Sequence, residues 1–275
     1  MAPDRPDLTP PKTLSPSSMS AFTSCPLAYR FSYIEHLPQP PSPAASKGTL
    51  VHRALEHLHG DAPELRTLDR ALAHLEQART ELATDPDFTG LDLTEVEWGE
   101  FHSAAEALVR RYFEIEDPAS IRTIDVEKRM EVEVDGVRLR GIIDRLERDD
   151  DDSLVITDYK TGSAPKARWE QQSLAGVHIY AFMCEQLLGE RPSRVQLLYL
   201  SAATVISAAP SDGSIRGVRT KSTAIMQAVR TACAKADFRP RKSSLCSYCS
   251  FKAFCPEFGG DPAQAAPALR GAEHR

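Results

Sequence analysis

Apolar and polar residues alternate with a period of two through much of 121–160, the spacing of strands whose successive side chains point to opposite faces. Val126, Met130, Val132 and Val134 supply the apolar positions of a first strand over 121–134. Asp135-Gly136 then marks a tight two-residue hairpin, with a return strand expected over 137–147. An acidic turn at 149–152 reads as solvated and leads to a third strand over 154–160. On that strand Leu154, Ile156, Asp158 and Lys160 share one face, and Val155, Thr157 and Tyr159 share the other. A carboxylate and an ammonium group therefore sit side by side at the end of an otherwise apolar strand, next to the strand that carries Asp144.

Elsewhere the period lengthens to that of helices. Leu50, Val51, Ala54, Leu55 and Leu58 fall on one face of a helix expected over 47–60. His52 lies at the margin of that face, with Glu56 one turn on and in reach of it. Amphipathic helices are expected over 62–82 and 94–115, parted by a polar turn at Asp85-Pro86. A further helix over 168–188 precedes strands over 193–200 and 203–208 and a long basic helix over 214–236. Near the start, Ser15 reads as a helix N-cap, and Pro26 interrupts the helical segments of 20–31. The order of elements predicts an α/β fold, a mixed sheet flanked by helices. One domain is expected over 14–258, with a helical insertion at about 60–115 and a cysteine cluster at 246–255. The stretches 1–13 and 259–275 have the composition of disordered ends.

Composition adds limits. A hydrophobic share of 41% with 26% charged residues is that of an ordinary globular protein. No apolar run is long enough to span a bilayer, and the first residues lack the apolar core of a signal peptide, so a cytoplasmic protein without a membrane partner is expected. The net charge of −6 hides an asymmetry. From Lys160 to Lys242 there are 13 Lys and Arg against 5 Asp and Glu, a surplus of eight positive charges compatible with phosphate binding.

Six cysteines in such a chain point to metal or redox chemistry before disulfides. Cys246, Cys249 and Cys255 are close enough in sequence to place three thiolates around one centre, and Cys25 is the candidate fourth. Cys184 and Cys233 lie within predicted helices as packing residues. The spacing alone leaves structural zinc and an iron–sulfur cluster equally open.

Four motifs in order along nearly the whole chain carry a resemblance. They are Gly48-Thr49-Leu50-Val51-His52, Gly141-Ile142-Ile143-Asp144, Asp158-Tyr159-Lys160-Thr161-Gly162 and the split cysteine set. Together they resemble the RecB-like branch of the PD-(D/E)xK nucleases, in particular stand-alone exonucleases with an iron–sulfur clasp. Relatives in that branch include the AddB nuclease domain and the CRISPR-associated adaptation exonucleases. The resemblance implies a restriction-endonuclease-like core with a terminal iron–sulfur appendage. It implies that His52, Asp144, Asp158 and the Tyr159 carbonyl hold Mg²⁺ or Mn²⁺, with Asp144, Asp158 and Lys160 catalytic. It also implies a 4Fe–4S cluster on Cys25, Cys246, Cys249 and Cys255. One departure concerns the helix after the third strand: the family carries Gln four residues before Tyr180, and here that position is Gly176, with Gln171 and Gln172 further upstream.

The expected activity is hydrolysis of DNA phosphodiester bonds at single-stranded ends, in repair or recombination. Lys166, Arg168 and Tyr180 are candidate DNA contacts, with Trp169 and Tyr180 available for stacking. No Gly-x4-Gly-Lys-Ser/Thr motif is present, so unwinding would fall to a helicase or other repair partner. Two other classes fit parts of the pattern. One is a catalytically weak DNA-binding subunit that keeps the fold and cluster, and the other is a zinc-stabilised interaction module.

Overall fold

Residues 8–265 are described by the structure, a computed structural model; the expected disorder of 1–7 and 266–275 lies outside them. In chain order the elements are β1 (Thr13–Leu14), α1 (Pro16–Ser24), α2 (Pro26–Tyr29), α3 (Pro43–Gly60), α4 (Leu68–Leu82), the one-turn α5 (Pro86–Thr89), α6 (Glu95–Ile115), β2 (Arg122–Val134), β3 (Val137–Arg148), β4 (Leu154–Lys160), α7 (Glu170–Leu174), α8 (His178–Leu188), β5 (Arg194–Tyr199), β6 (Thr204–Ala208) and α9 (Asp212–Lys235). The sheet is mixed, as expected. β3 pairs antiparallel with β4, β4 parallel with β5, and β5 antiparallel with β6. β2 also pairs with β3.

The residues cluster into two compact units. One takes the chain through 40, 131–140 and the part from 216 onward; the other takes 41–130 and 141–215.

The first unit joins the N-terminal stretch described from 8 with the C-terminal stretch described to 265. Ser15 caps α1 reciprocally with Ser18: the Ser18 N–H donates to Ser15 Oγ at 3.1 Å and the Ser15 N–H to Ser18 Oγ at 2.8 Å. Pro26 ends α1 as expected, and the chain continues through α2 into a π-helical turn at Arg30–Ile34. Order extends into stretches whose composition suggested none. Thr13 and Leu14 pair in parallel with Arg138 and Leu139, and Leu8 and Ala265 are buried. A few buried apolar side chains are enough to tie such ends down. The hairpin tip has Asp135 at φ 49° and Gly136 at φ 71°, the double left-handed geometry that Asp-Gly favours. Arg219 of α9 donates to Asp135 at 2.6 Å, so part of the basic charge of that helix is spent within the unit.

The second unit carries the rest of the sheet. α3, α4 and α6 share one apolar core with Tyr159, Leu198 and Leu200 of the strand ends. That core includes Phe101, Ala105, Leu108 and Tyr112, the stripe read from α6. β4 is buried on both faces up to Tyr159, as suits a strand with neighbours on both edges.

Two helices differ from expectation. The one foreseen over 62–82 begins only at Leu68, because Thr67 caps it and Arg66 turns inward to the carbonyls of His59, Asp61, Pro118 and Ile121. The one foreseen over 168–188 is broken between α7 and α8. Gly176 lies in the break, where a residue about 1 kcal/mol poorer than Ala as a helix former weakens continuity.

Candidate metal and catalytic site

β3 and β4 bring Asp144 and Asp158 together one step beyond the last paired residues, Arg145 and Thr157. Asp144 is anchored by the Tyr159 main-chain N–H, which donates to its Oδ2 at 2.7 Å. Asp158 is buried, and the only partner of its Oδ2 among the described residues is the Lys160 ammonium, which forms an ion pair with it. That is the strand-end pair read from the alternation, both on one face.

His52 arrives from α3, its Nδ1 3.5 Å from Asp144 Oδ2. Its ring meets Tyr159 edge to face at 5.9 Å, and the Tyr159 carbonyl is turned toward it. Burial holds the His52 pKa below its ordinary value, which favours the neutral imidazole a metal requires. Glu56, expected within reach of His52, instead pairs with Arg53 at 2.8 Å.

Two glycines of the motifs make this approach possible. A Cβ on Gly48 would lie 3.2 Å from Thr161 Oγ1, so α3 passes close beside the residue that follows β4. A Cβ on Gly141 would lie 2.5 Å from the Tyr180 ring, so the bare backbone is the seat of that ring. Tyr180 is thereby brought to the carboxylates. Burial, then Asp158 and Asp144, raise its hydroxyl well above the ordinary phenol range.

One residue escaped the sequence reading. Glu127, inside β2, has φ 47° and breaks the alternation of the strand, which is regular only from Arg129 onward. Its carboxylate lies in the site. His52, Glu127 and Asp144 each offer a ligand atom, all within 4.8 Å of one another. Burial and then Asp144 push the Glu127 pKa up to about 7, and burial and then Asp158 push Asp144 up to about 8. For Lys160, burial works to lower the pKa, but the adjoining Asp158 outweighs it and holds the group protonated. Three carboxyl groups thus face one ammonium, and the raised pKa values of Glu127 and Asp144 mark a site short of positive charge, which a divalent cation would supply. The donor set of one imidazole and several carboxylates, with a buried Asp158 oxygen short of partners, fits such an ion. An open cleft lined by Gly48, Thr49, His52, Arg53, Glu56 and Glu127 borders the site.

Of the candidate DNA contacts, Lys166 and Arg168 are exposed, with the Arg168 guanidinium 5.4 Å from the centre of the half-exposed Trp169 ring. Tyr180 is half-buried against Gly141.

In the other unit, Cys25, Cys246, Cys249 and Cys255 line one small cavity with Leu27 and Phe31. All four are free and half-buried. The Arg241 N–H points at Cys25 Sγ at 3.5 Å and the Ser243 N–H at Cys246 Sγ at 3.4 Å. Burial raises the Cys255 thiol, and the other three cysteines add to the shift. Cys184 and Cys233 are buried apart from these, as expected of packing residues.

No curated protein matches the chain in sequence. Among solved structures, a candidate exonuclease from Eubacterium rectale is similar at 14% identity, over 86% of this chain and 87% of that one, with a TM-score of 0.52. The protein SSO0001 is similar at 15% identity over 91% and 88% of the two chains, with a TM-score of 0.39. The model of the PD-(D/E)XK nuclease superfamily matches residues 13–256, from β1 through all four motifs. With nearly the whole described chain inside that match, the protein belongs to the PD-(D/E)XK nuclease superfamily.

Proposed function

We propose that the chain is a RecB-like, divalent-metal-dependent DNA exonuclease that hydrolyses phosphodiester bonds at single-stranded ends, in repair or recombination. The observation that carries this reading is the convergence of His52 of α3, Glu127 of β2, Asp144 of β3 and Asp158 and Lys160 at the end of β4, in a chain of the nuclease superfamily. His52, Asp144, Asp158 and the Tyr159 carbonyl would hold Mg²⁺ or Mn²⁺, with Glu127 as a further donor, and the imidazole favours tolerance of Mn²⁺. When bound, such a cation neutralises charge on the phosphate and lowers the pKa of a coordinated water.

The chain's own residues do the remaining work. The Tyr159 N–H orients Asp144, and neutral His52 keeps a lone pair available. Asp158 holds Lys160 charged, with its ammonium partly exposed, where it stabilises charge developing on the phosphate or orients the attacking water. Lys166, Arg168 and Trp169 lie exposed after β4 and would guide a single strand by charge and stacking.

Cys25, Cys246, Cys249 and Cys255 would hold a 4Fe–4S cluster. Four thiols around one cavity, two of them facing main-chain N–H groups, fit that group. Its role is that of a clasp joining the two ends of the chain, so the folding of those ends depends on it. A cytoplasmic location and a helicase or other repair partner belong to the same reading. No helix among the described residues is long and apolar enough to cross a membrane.

The interruption at Gly176 favours a second reading, a catalytically weak DNA-binding subunit of a helicase–nuclease or repair complex. The test is degradation of end-labelled single- and double-stranded DNA with Mn²⁺ or Mg²⁺ by wild type, Asp158→Ala and Lys160→Ala. The nuclease reading expects losses on the order of 10²-fold or more in both variants. Wild type without activity supports the second reading. Equal degradation by all three proteins means a contaminant and removes the support for catalysis.

A further inference from the structure

Arg145 is the largest fully buried side chain among the described residues, and the proposed hydrolysis makes no direct use of it. Its guanidinium sits between two carboxylates, Glu116 at the end of α6 and Glu147 of β3, and forms ion pairs with both. Burying such a group costs several kcal/mol of desolvation, and apolar residues of similar volume often do as well or better for stability. Stability alone therefore gives little reason for an arginine here.

Its contacts give another. Arg145 lies next to Asp144 on β3, and its side chain points to the face of the sheet opposite the carboxylates. From there Nη1 donates to the Tyr159 hydroxyl at 2.8 Å and Nη2 to Thr157 Oγ1 at 3.3 Å. Thr157 and Tyr159 are the two residues that flank Asp158. One planar fork therefore grips both neighbours of Asp158 from behind, while its own backbone neighbour is Asp144. Tyr159 in turn donates its N–H to Asp144 and sets its ring against His52. The fork itself is held by Glu116 and Glu147, and Gln196 Nε2 donates to Thr157 Oγ1 at 2.7 Å to complete the seat.

We infer that Arg145 is a positioning residue: by holding Thr157 and Tyr159 from the buried face, it sets the spacing of Asp144, Asp158 and His52 for a divalent cation. The inference rests on the proposed metal-dependent reading of that site. Lysine cannot replace it, because a point charge does not span two acceptors on alternate strand residues.

The test is a Mn²⁺ titration of the full-length protein purified without divalent metal, followed by the free-ion paramagnetic resonance signal, with circular dichroism to confirm folding. Arg145→Lys and Tyr159→Phe are expected to weaken Mn²⁺ binding about 10- to 100-fold, the range for residues that orient ligands. Tyr112→Phe is the control. It also removes a hydroxyl that accepts from Arg145, at 3.0 Å, but on the helical side, and it is expected to leave Mn²⁺ affinity within about twofold while lowering stability. Should Arg145→Lys not fold, Tyr159→Phe against Tyr112→Phe decides. Wild-type affinity in Tyr159→Phe overturns the inference, as does an equal loss in Tyr112→Phe, which would mean general loosening. Wild type that binds no Mn²⁺ overturns the metal reading itself, a result distinct from either.

Discussion

The Tyr159 main-chain N–H donates to Asp144 Oδ2 at 2.7 Å, so the backbone that follows one site carboxylate orients the other. The two roles of Asp144, acceptor and charge, can be separated by substitution. Asp144→Asn keeps an oxygen for the N–H and removes a carboxyl group whose ionisation burial and Asp158 oppose. It is expected to fold with stability equal to or above that of the metal-free wild type, while losing about 10²-fold or more in nuclease activity. Asp144→Ala leaves the N–H unpaired and is expected to lose a further ~1–3 kcal/mol. Urea unfolding of the three proteins alongside a nuclease assay checks both. An Asn variant that unfolds as easily as the Ala variant would show that the hydrogen bond does not carry the difference.

The buried polar layer behind the site has a pH signature through His59. Arg145 Nη1 points at His59 Nε2 at 3.0 Å, so Nε2 accepts, and Nδ1 bears the proton given to Thr123 Oγ1 at 3.0 Å. Burial, reinforced by Arg145 and Arg66, holds the pKa down at about 2. A folded pKa below the unfolded value of 6.5 means that the unfolded chain binds the extra proton first. The stability from this group is complete above pH 6.5 and is lost as pH falls below it, by roughly 2 kcal/mol at pH 5. Comparing wild type with His59→Gln by urea unfolding at pH 7.5 and 5.0 isolates the effect. The gap between the two proteins should narrow by about that amount, and a gap independent of pH would rule out a neutral buried His59.

How far these features could be read in advance depended on which physical signal each leaves in a linear chain. The β2–β3 hairpin was legible because Asp-Gly has few alternatives to a left-handed turn. Asp158 and Lys160 were legible because they end a strand whose opening residues, Leu154, Val155 and Ile156, are all apolar, and His52 came only through the resemblance, since one helical histidine carries little information. Glu127 was not legible: it sits at a left-handed backbone position within a strand, and alternation counted from Val126 or Met130 gives no warning of it. Arg145 was hidden for a related reason. Alternation places it opposite Asp144, but its burial depends on Glu116, Tyr112 and His59, which are 29, 33 and 86 residues away in sequence. The break between α7 and α8 turned on a single glycine within an apolar pattern that continues on both sides.

Gly141 and Tyr180 form a pair in which one residue's lack of a side chain is the other's room. In Gly141→Ala the new Cβ would lie 2.5 Å from Tyr180 Cε1, so the ring or the strand must move. A loss of about 1–3 kcal/mol is expected, with reduced nuclease activity because the strand carries Asp144 three residues on. Removing the obstacle tests the cause. In a Tyr180→Ala background the same substitution should cost much less, leaving a coupling of about 1 kcal/mol or more in the double-mutant cycle. Additive losses would mean that the strand, not the ring, resists the methyl group.

The four cysteines around one cavity give the sharpest distinction between metals. Cys25 sits between α1 and α2, with the Arg241 N–H directed at its sulfur, whereas its three companions lie more than two hundred residues further on. A cluster spanning that separation closes a long loop, and its loss should be felt by both ends of the chain at once. Protein purified without oxygen is expected to be brown and to hold about four iron and four sulfide per chain, as a cubane on four thiolates requires. Cys25→Ser should lower the iron content and the unfolding midpoint together, and chelation of wild type should produce the same lowered midpoint while moving the variant little further. The nuclease unit has its own core in α3, α4 and α6, so Mn²⁺ binding at His52 and Asp144 is expected to survive the substitution. Colourless protein with stoichiometric zinc would assign the four thiols to a structural zinc site, and intact stability in Cys25→Ser would remove Cys25 from the ligand set.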